Sequence, residues 1–272
     1  MLQKEVLILV KTYPCISKSY FELVCTAGLT REGKWIRLYP IAFRGLDPEQ
    51  QYKKFEWITV NVQENPKDNR PESYRVDEAS IQVGNKIDSN HWDERRKLVL
   101  DNGPGIYTNL TKLIEEAKNP DKRTSLAIFK PTKFKDFVVS PQSPKYTDEE
   151  WKNICEIMSQ TDLFGKQHYP PVERLPFEFS YSFEDEDGRE STLIITDWEI
   201  CQLYRNCFQK CKSEELAIEM VRQKYWDDYV NKKDVYLFLG TTHRFHNIAK
   251  NPFIIIGVFA PPKQTEKQLS FF

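Results

Sequence analysis

The segment Gly240-Thr241-Thr242-His243-Arg244-Phe245-His246 follows an apolar run, so it brings hydroxyls, imidazoles and a guanidinium to a strand exit. In that setting His243 is a candidate general base and Arg244 a candidate stabiliser of developing phosphate charge, provided both face one pocket. Gly240 permits close approach of a ligand to the backbone. The plainer alternative is a polar surface loop whose imidazoles have no fixed partners. A second pair, Asp197 and Glu199 in Asp197-Trp198-Glu199, supplies carboxylates of the kind that hold Mg²⁺ in phosphodiester cleavage. The same residues, with Thr196, fit a capping box ahead of Ile200, Leu203, Tyr204, Cys207 and Phe208, which explains the acids by the start of a helix. His243, Arg244, Asp197 and Glu199 therefore define a nuclease alternative with Mg²⁺ as its cofactor. No other cofactor or metal site is evident, and no GxxxxGK[ST], GxGxxG, GxSxG or HExxH pattern occurs.

A different chemistry is written in the aromatic and basic residues. Strand alternation from Lys34 to Pro40 places Trp35, Arg37 and Tyr39 on one face, a combination suited to stacked bases and phosphates. Base stacking on an aromatic contributes roughly 1–3 kcal/mol, and an Arg adds a bidentate phosphate contact. Arg44 lies just beyond, and the loop Arg70-Pro71-Glu72-Ser73-Tyr74-Arg75 carries two more guanidinium groups, Arg70 and Arg75. Lys130 and Lys133, with Lys122, Arg123 and Lys135, form a second basic group that extends the candidate phosphate track. The competing explanations are a core strand for Trp35, Arg37 and Tyr39, and local ion pairs for the rest.

The elements that position these residues read as α+β. Short strands at Glu5 to Val10, Phe21 to Ala27, Trp35 to Tyr39, Trp57 to Val62 and Ser80 to Val83 predict a small curved antiparallel sheet or barrel over residues 1–88. Residues 89–140 read as a helical and basic connecting region, and 141–262 as a mixed helix and hairpin domain. There Thr147 and Glu150 form a capping box, Trp151, Ile154, Cys155 and Met158 recur at helical spacing, and Phe177, Phe179, Tyr181 and Phe183 alternate as a half-buried strand. Cys155, Cys207 and Cys211 fall on apolar stripes and read as core thiols. Glu184 to Asp187 reads as a solvated hairpin tip.

With 39 basic and 40 acidic residues the net charge is −1, so nucleic-acid binding must come from a local patch. Six Cys without a CxxC pair, and no apolar leader, point to a reduced cytoplasmic setting. The longest apolar run, near Phe253 to Ala260, is far short of the ~20 residues that span a bilayer.

After Pro261-Pro262, a charged tether leads to Gln268-Leu269-Ser270-Phe271-Phe272. This peptide resembles the Gln-Leu-Ser/Asp-Leu-Phe motif with which bacterial replication and repair proteins hold the DNA sliding clamp. The resemblance implies that Gln268 hydrogen-bonds at one subsite, that Leu269 and Phe272 fill an apolar pocket, and that Phe271 takes the usual Leu position. Trp35 to Pro40, Asp197-Trp198-Glu199 and Phe238-Leu239-Gly240-Thr241 also resemble landmarks of a prokaryotic family without an assigned activity. Taken together, the sequence predicts a DNA-binding protein recruited to the clamp for replication, repair or defence against foreign DNA. The alternatives are a metal-dependent nuclease or other DNA-modifying enzyme and a non-catalytic interaction or regulatory subunit.

Overall fold

The run Val6-Leu7-Ile8-Leu9-Val10 lacks polar alternation because both of its faces are covered, and all five residues are fully buried. They lie on β1 (Leu2–Lys11), in a computed structural model that describes residues 1–16, 22–162 and 170–264. β1 pairs antiparallel with both β2 (Val24–Thr30) and β4 (Glu56–Glu64). β3 (Trp35–Ile41) runs antiparallel to β2 and parallel to β5 (Ser73–Val76), which returns to β4, so five strands close a barrel. β6 (Gln82–Lys86) extends β4 at one edge. Val6 and Ile8 fill the barrel with Ile36, Leu38, Val60 and Val62. Leu7, Leu9 and Val10 face outward and are buried by the rest of the chain. Removing these five side chains from water contributes on the order of 10 kcal/mol to the association of the layers.

The second half carries α1 (Trp92–Arg96), β7 (Ile106–Tyr107), α2 (Leu110–Lys118), β8 (Leu126–Phe129), β9 (Lys133–Pro141) and α3 (Asp148–Asp162). There follow β10 (Phe177–Glu184), β11 (Glu190–Ile194), α4 (Trp198–Cys211), α5 (Glu214–Arg222, its helical path continuing through Gln223–Val230), β12 (Tyr236–Thr241) and β13 (Phe253–Phe259). One sheet runs β13-β12-β8-β7 and another β11-β10-β9. Ile128, Phe238, Ile256 and Phe259 cover the outer face of the barrel, while Phe137, Phe179, Tyr181 and Phe183 build a separate core against α2, α4 and α5. Gly257 allows β13 to lie on the barrel: a Cβ there would stand 3.0 Å from Phe238 and 3.2 Å from Val10. The fold is α+β, as the sequence predicts, with the barrel closed. Among the described residues no helix is long and apolar enough to cross a membrane.

Three local expectations need correction. Residues 89–140 do not form a separate connector, because β7, β8 and β9 are strands of the two C-terminal sheets. Thr147 and Glu150 do form their capping box, with Thr147 N donating to Glu150 Oε2 at 2.8 Å, but Cys155 on the same helix is exposed. Helical spacing selects a face, and on α3 Ile154 is buried while Trp151 and Cys155 point to solvent. The acidic tip is also not simply solvated. Asp185 is buried and accepts from the backbone N–H of Leu110, Asp187 and Arg189, so the tip anchors the start of α2.

Candidate nucleic-acid interface

Lys11 ends β1, Lys54 precedes β4, and Asp197 caps α4; the fold brings these three distant positions to one seam. The local cause is a tight turn at Lys53 to Glu56. Phe55 adopts φ +62°, a conformation that an aromatic side chain rarely takes, and the turn is held by Phe55 N donating to Ile8 O at 2.7 Å and Lys53 N donating to Glu56 Oε2 at 2.6 Å. Lys54 is thereby sent inward. Its Nζ stands 3.0 Å from Asp197 Oδ2 and 2.8 Å from Glu199 Oε2.

Asp197, not Thr196, is the N-cap of α4: its Oδ1 accepts from Glu199 N at 3.2 Å, whereas the Thr196 hydroxyl donates to Ile255 O. Burial pushes the Asp197 carboxyl up, against the opposing charge of Lys54. Burial acts the same way on Glu199, but there the charge and hydrogen bond of Lys54 prevail and hold the carboxyl down. Burial also disfavours the Lys54 ammonium, and the two carboxylates more than reverse that effect. An ammonium thus occupies the space between the carboxylates, which the nuclease alternative reserves for Mg²⁺. Among the described residues no cluster of three or more His, Cys, Asp or Glu is placed to hold a metal ion.

Around this bridge opens a cleft of about 640 Å³. Seven cations and two carboxylates line it, with Phe55, Trp92, Trp198, Tyr229 and Phe259 supplying aromatic surface. Lys53 and Lys86 are exposed at its edge. Arg95 is buried over the Phe55 ring at 3.9 Å, and Lys224 and Lys233 pair with Asp228. Lys11 is set apart: its Nζ donates to Tyr52 O at 2.9 Å and sits 4.1 Å from the Phe43 ring centre and 5.3 Å from that of Trp198. Burial first, and then the like charge of Lys54, lower its pKa to about 8 despite the opposing carboxylates. Its cations suit phosphate oxygens, and its rings offer faces for stacking.

Apart from Asp197 and Glu199, the site residues expected from the sequence are distributed elsewhere. His243 and Arg244 lie on an exposed turn, the imidazole 3.1 Å from Lys67 O and the guanidinium over the Phe245 ring at 5.2 Å, and neither lines the cleft of Asp197 and Glu199. The four catalytic candidates therefore do not converge. Among the described residues the buried imidazole is His246, whose Nδ1 meets Thr241 Oγ1 at 2.9 Å and whose pKa is lowered by burial and then by Arg70 and Arg37.

Arg37 is 1% exposed, with its guanidinium on Ser73 Oγ, Ser125 Oγ and Ser125 O, so it joins the layers and does not face a ligand. Arg70 is likewise buried, held in a fork by Asp68 and donating to Thr241 O at 2.5 Å. Alternation does put Trp35 and Arg37 on the outer face of β3, but the C-terminal sheet covers that face. Trp35 packs edge-on against Phe238, 5.7 Å between ring centres. Tyr39 is half-buried, Arg44 pairs with Glu22 at 2.8 Å, and Arg75 donates to Asn65. Lys130 is tied to Asp234 and Val235 O, while Lys133 is exposed on β9. Gln268, Leu269, Phe271 and Phe272 lie outside the described residues. Lys11, Lys53 and Lys54 stand out in the sequence as cations of the first 60 residues, but nothing local ties them to Asp197.

Residues 107–272 match the family described as Domain of unknown function (DUF8757), and the chain belongs to that family. Residues 2–101 match a second one, Domain of unknown function (DUF8758). No curated protein matches the chain. Among solved structures it is similar to one described as murine DNA binding protein bound with ds DNA, at 10% identity and a TM-score of 0.32, over 97% of this chain and 98% of the other.

Proposed function

We propose that the protein binds DNA through the cleft between the barrel and α4, and that Gln268 to Phe272 recruit it to the replication sliding clamp for replication, repair or defence. The observation that carries the first part is the excess of seven cations over two carboxylates in one aromatic-walled cleft of a chain whose net charge is −1. A near-neutral chain concentrates charge in this way where a polyanion must be held locally. The clamp part rests on the terminal peptide's sequence. Clamp tethering raises the effective concentration of DNA at the cleft, so a modest patch suffices.

A salt titration with single- and double-stranded oligonucleotides tests the cleft. Each phosphate contact adds about 0.9 to the log–log salt slope for duplex and about 0.7 for single strands, so Lys53→Ala with Lys86→Ala lowers the slope by roughly 1.4 to 1.8. Binding that ignores salt, or an unchanged slope in the double variant, overturns the reading. Deleting residues 268–272 abolishes clamp binding and leaves clamp-free DNA binding intact; retained clamp binding sinks the recruitment reading alone.

A further inference from the structure

Among the six lysines of the cleft, Lys11 is placed differently from the rest. Lys54 is locked between two carboxylates, Lys224 and Lys233 share Asp228, and Lys53 and Lys86 are exposed and hydrated. Lys11 has one hydrogen bond to a backbone carbonyl and stands among the rings of Phe43, Tyr52 and Trp198. An amine so desolvated, beside a second ammonium, gives up its proton readily and becomes nucleophilic. Its pKa of about 8 agrees with that placement. The same cleft holds the Asp197 and Glu199 carboxylates, 3.0 and 2.8 Å from the Lys54 ammonium.

We infer that Lys11 is an imine-forming nucleophile for an aldehyde carried on a phosphorylated sugar, bound with its phosphate on the cations of the cleft. This rests on the reading of that cleft as a phosphate site. The volume of about 640 Å³ lies within the range of small-molecule sites and accommodates one sugar phosphate with an attached group. In the reaction the neutral amine adds to the carbonyl carbon, and the carbonyl oxygen takes up a proton to give a carbinolamine. The nitrogen then loses its remaining proton, the oxygen leaves as water, and a C=N bond replaces C=O. One amine and one aldehyde give one imine and one water, with no oxidant or reductant. Two sources carry this chemistry: the open-chain sugar of an abasic site in DNA, and a free sugar phosphate.

Reductive trapping separates them. The full chain is incubated at about pH 8 with sodium cyanoborohydride and one of three probes: an oligonucleotide with a single abasic site, the same oligonucleotide with its base intact, or ribose 5-phosphate. The expected result is a covalent adduct from the abasic oligonucleotide, from ribose 5-phosphate or from both, mapped to Lys11 by peptide mass spectrometry, and none from the intact oligonucleotide. Lys11→Arg, with its fold checked by circular dichroism, lowers the adduct yield at least tenfold. Because mapping is done on the unaltered protein, the result does not depend on that variant folding. Adducts spread over Lys53 and Lys86, or no adduct from either aldehyde while the intact oligonucleotide still binds, overturn the inference and leave the DNA-binding reading standing. A Lys11 adduct from ribose 5-phosphate with no binding of any oligonucleotide supports the inference and removes the DNA-binding reading.

Discussion

Replacing Lys54 by Met tests the construction of the cleft without reference to any ligand. The Lys54 side chain is 8% exposed and Asp197 is 1% exposed, whereas Glu199, at 55%, can turn to water when its partner is lost. The cost therefore falls on Asp197, left as a buried carboxylate whose remaining interaction is the α4 N–H it caps. Removing one partner of a buried ion pair costs about 3–5 kcal/mol. At roughly 2–4 °C per kcal/mol for a chain of this size, the melting temperature drops by roughly 10 °C. The pH dependence identifies the cause. Asp197 already has a raised pKa, and losing Lys54 raises it further, so the folded variant binds more protons than the unfolded chain above the ordinary carboxylate range. Its stability must then fall as pH rises through that window, and the deficit relative to the unaltered protein is larger at about pH 8 than at about pH 5. Adding Asp197→Asn removes the orphaned charge and recovers at least half of the loss. Denaturant melts of the three proteins at the two pH values decide the matter. A deficit below about 1 kcal/mol that does not vary with pH would refute the claim that this bridge is a buried, mutually dependent pair.

Lys11 has a lowered pKa, so between about 8 and its ordinary value the folded protein holds fewer protons than the unfolded chain, and stability rises with pH. From about pH 7.5 to 9.5 that rise amounts to about 2 kcal/mol and disappears in Lys11→Met; denaturant melts across the range measure it. Asp185→Ala leaves three backbone donors without their acceptor and costs about 3 kcal/mol in the same assay, with loss of hydrogen-exchange protection concentrated at the start of α2. In the native protein a disulfide reagent modifies Cys155 ahead of Cys201 and Cys207, since Cys155 is exposed while burial shields the other two thiols and pushes their pKa up. Equal rates for the three thiols would contradict their placement.

What the sequence made legible was governed by local periodicity. The strand runs, the Thr147 capping box and the alternation of Phe177 to Phe183 depend on neighbours within a few residues, and among the described residues the structure keeps them, with β2 and β6 starting and ending later in the chain than expected. β5, at Ser73–Val76, was missed because only four residues pair there and one of their two strand partners, β3, is distant in sequence. Arg37 misled for a related reason. Alternation reports which face a side chain leaves from, not what covers that face, and here Ser73 and Ser125 wait for the guanidinium. The Asp197-Trp198-Glu199 carboxylates were explained by helix capping, which is half of their role; their partner Lys54 is 143 residues from Asp197. No spacing rule connects positions that far apart.

That separation bears on which part of the chain can act. The two family matches meet between residues 101 and 107, and the cleft draws Lys11, Lys54 and Lys86 from one side of that junction and Asp197, Glu199 and Lys224 from the other. The first group alone is a set of like charges whose desolvation nothing offsets. The second alone leaves Asp197 buried at a helix start without a cation. Each half neutralises the other's cost, so the charge pattern that makes the cleft attractive to a phosphate is also a term in the adhesion between the halves. The apolar layer formed by Leu7, Leu9 and Val10 with Phe238, Ile256 and Phe259 joins the same two halves. A ligand that competes for Lys54 must therefore work against the interface as well as against the ion pair. The cations it can engage at least cost are those outside the bridge: Lys53 and Lys86 at the edge, and Lys11 within.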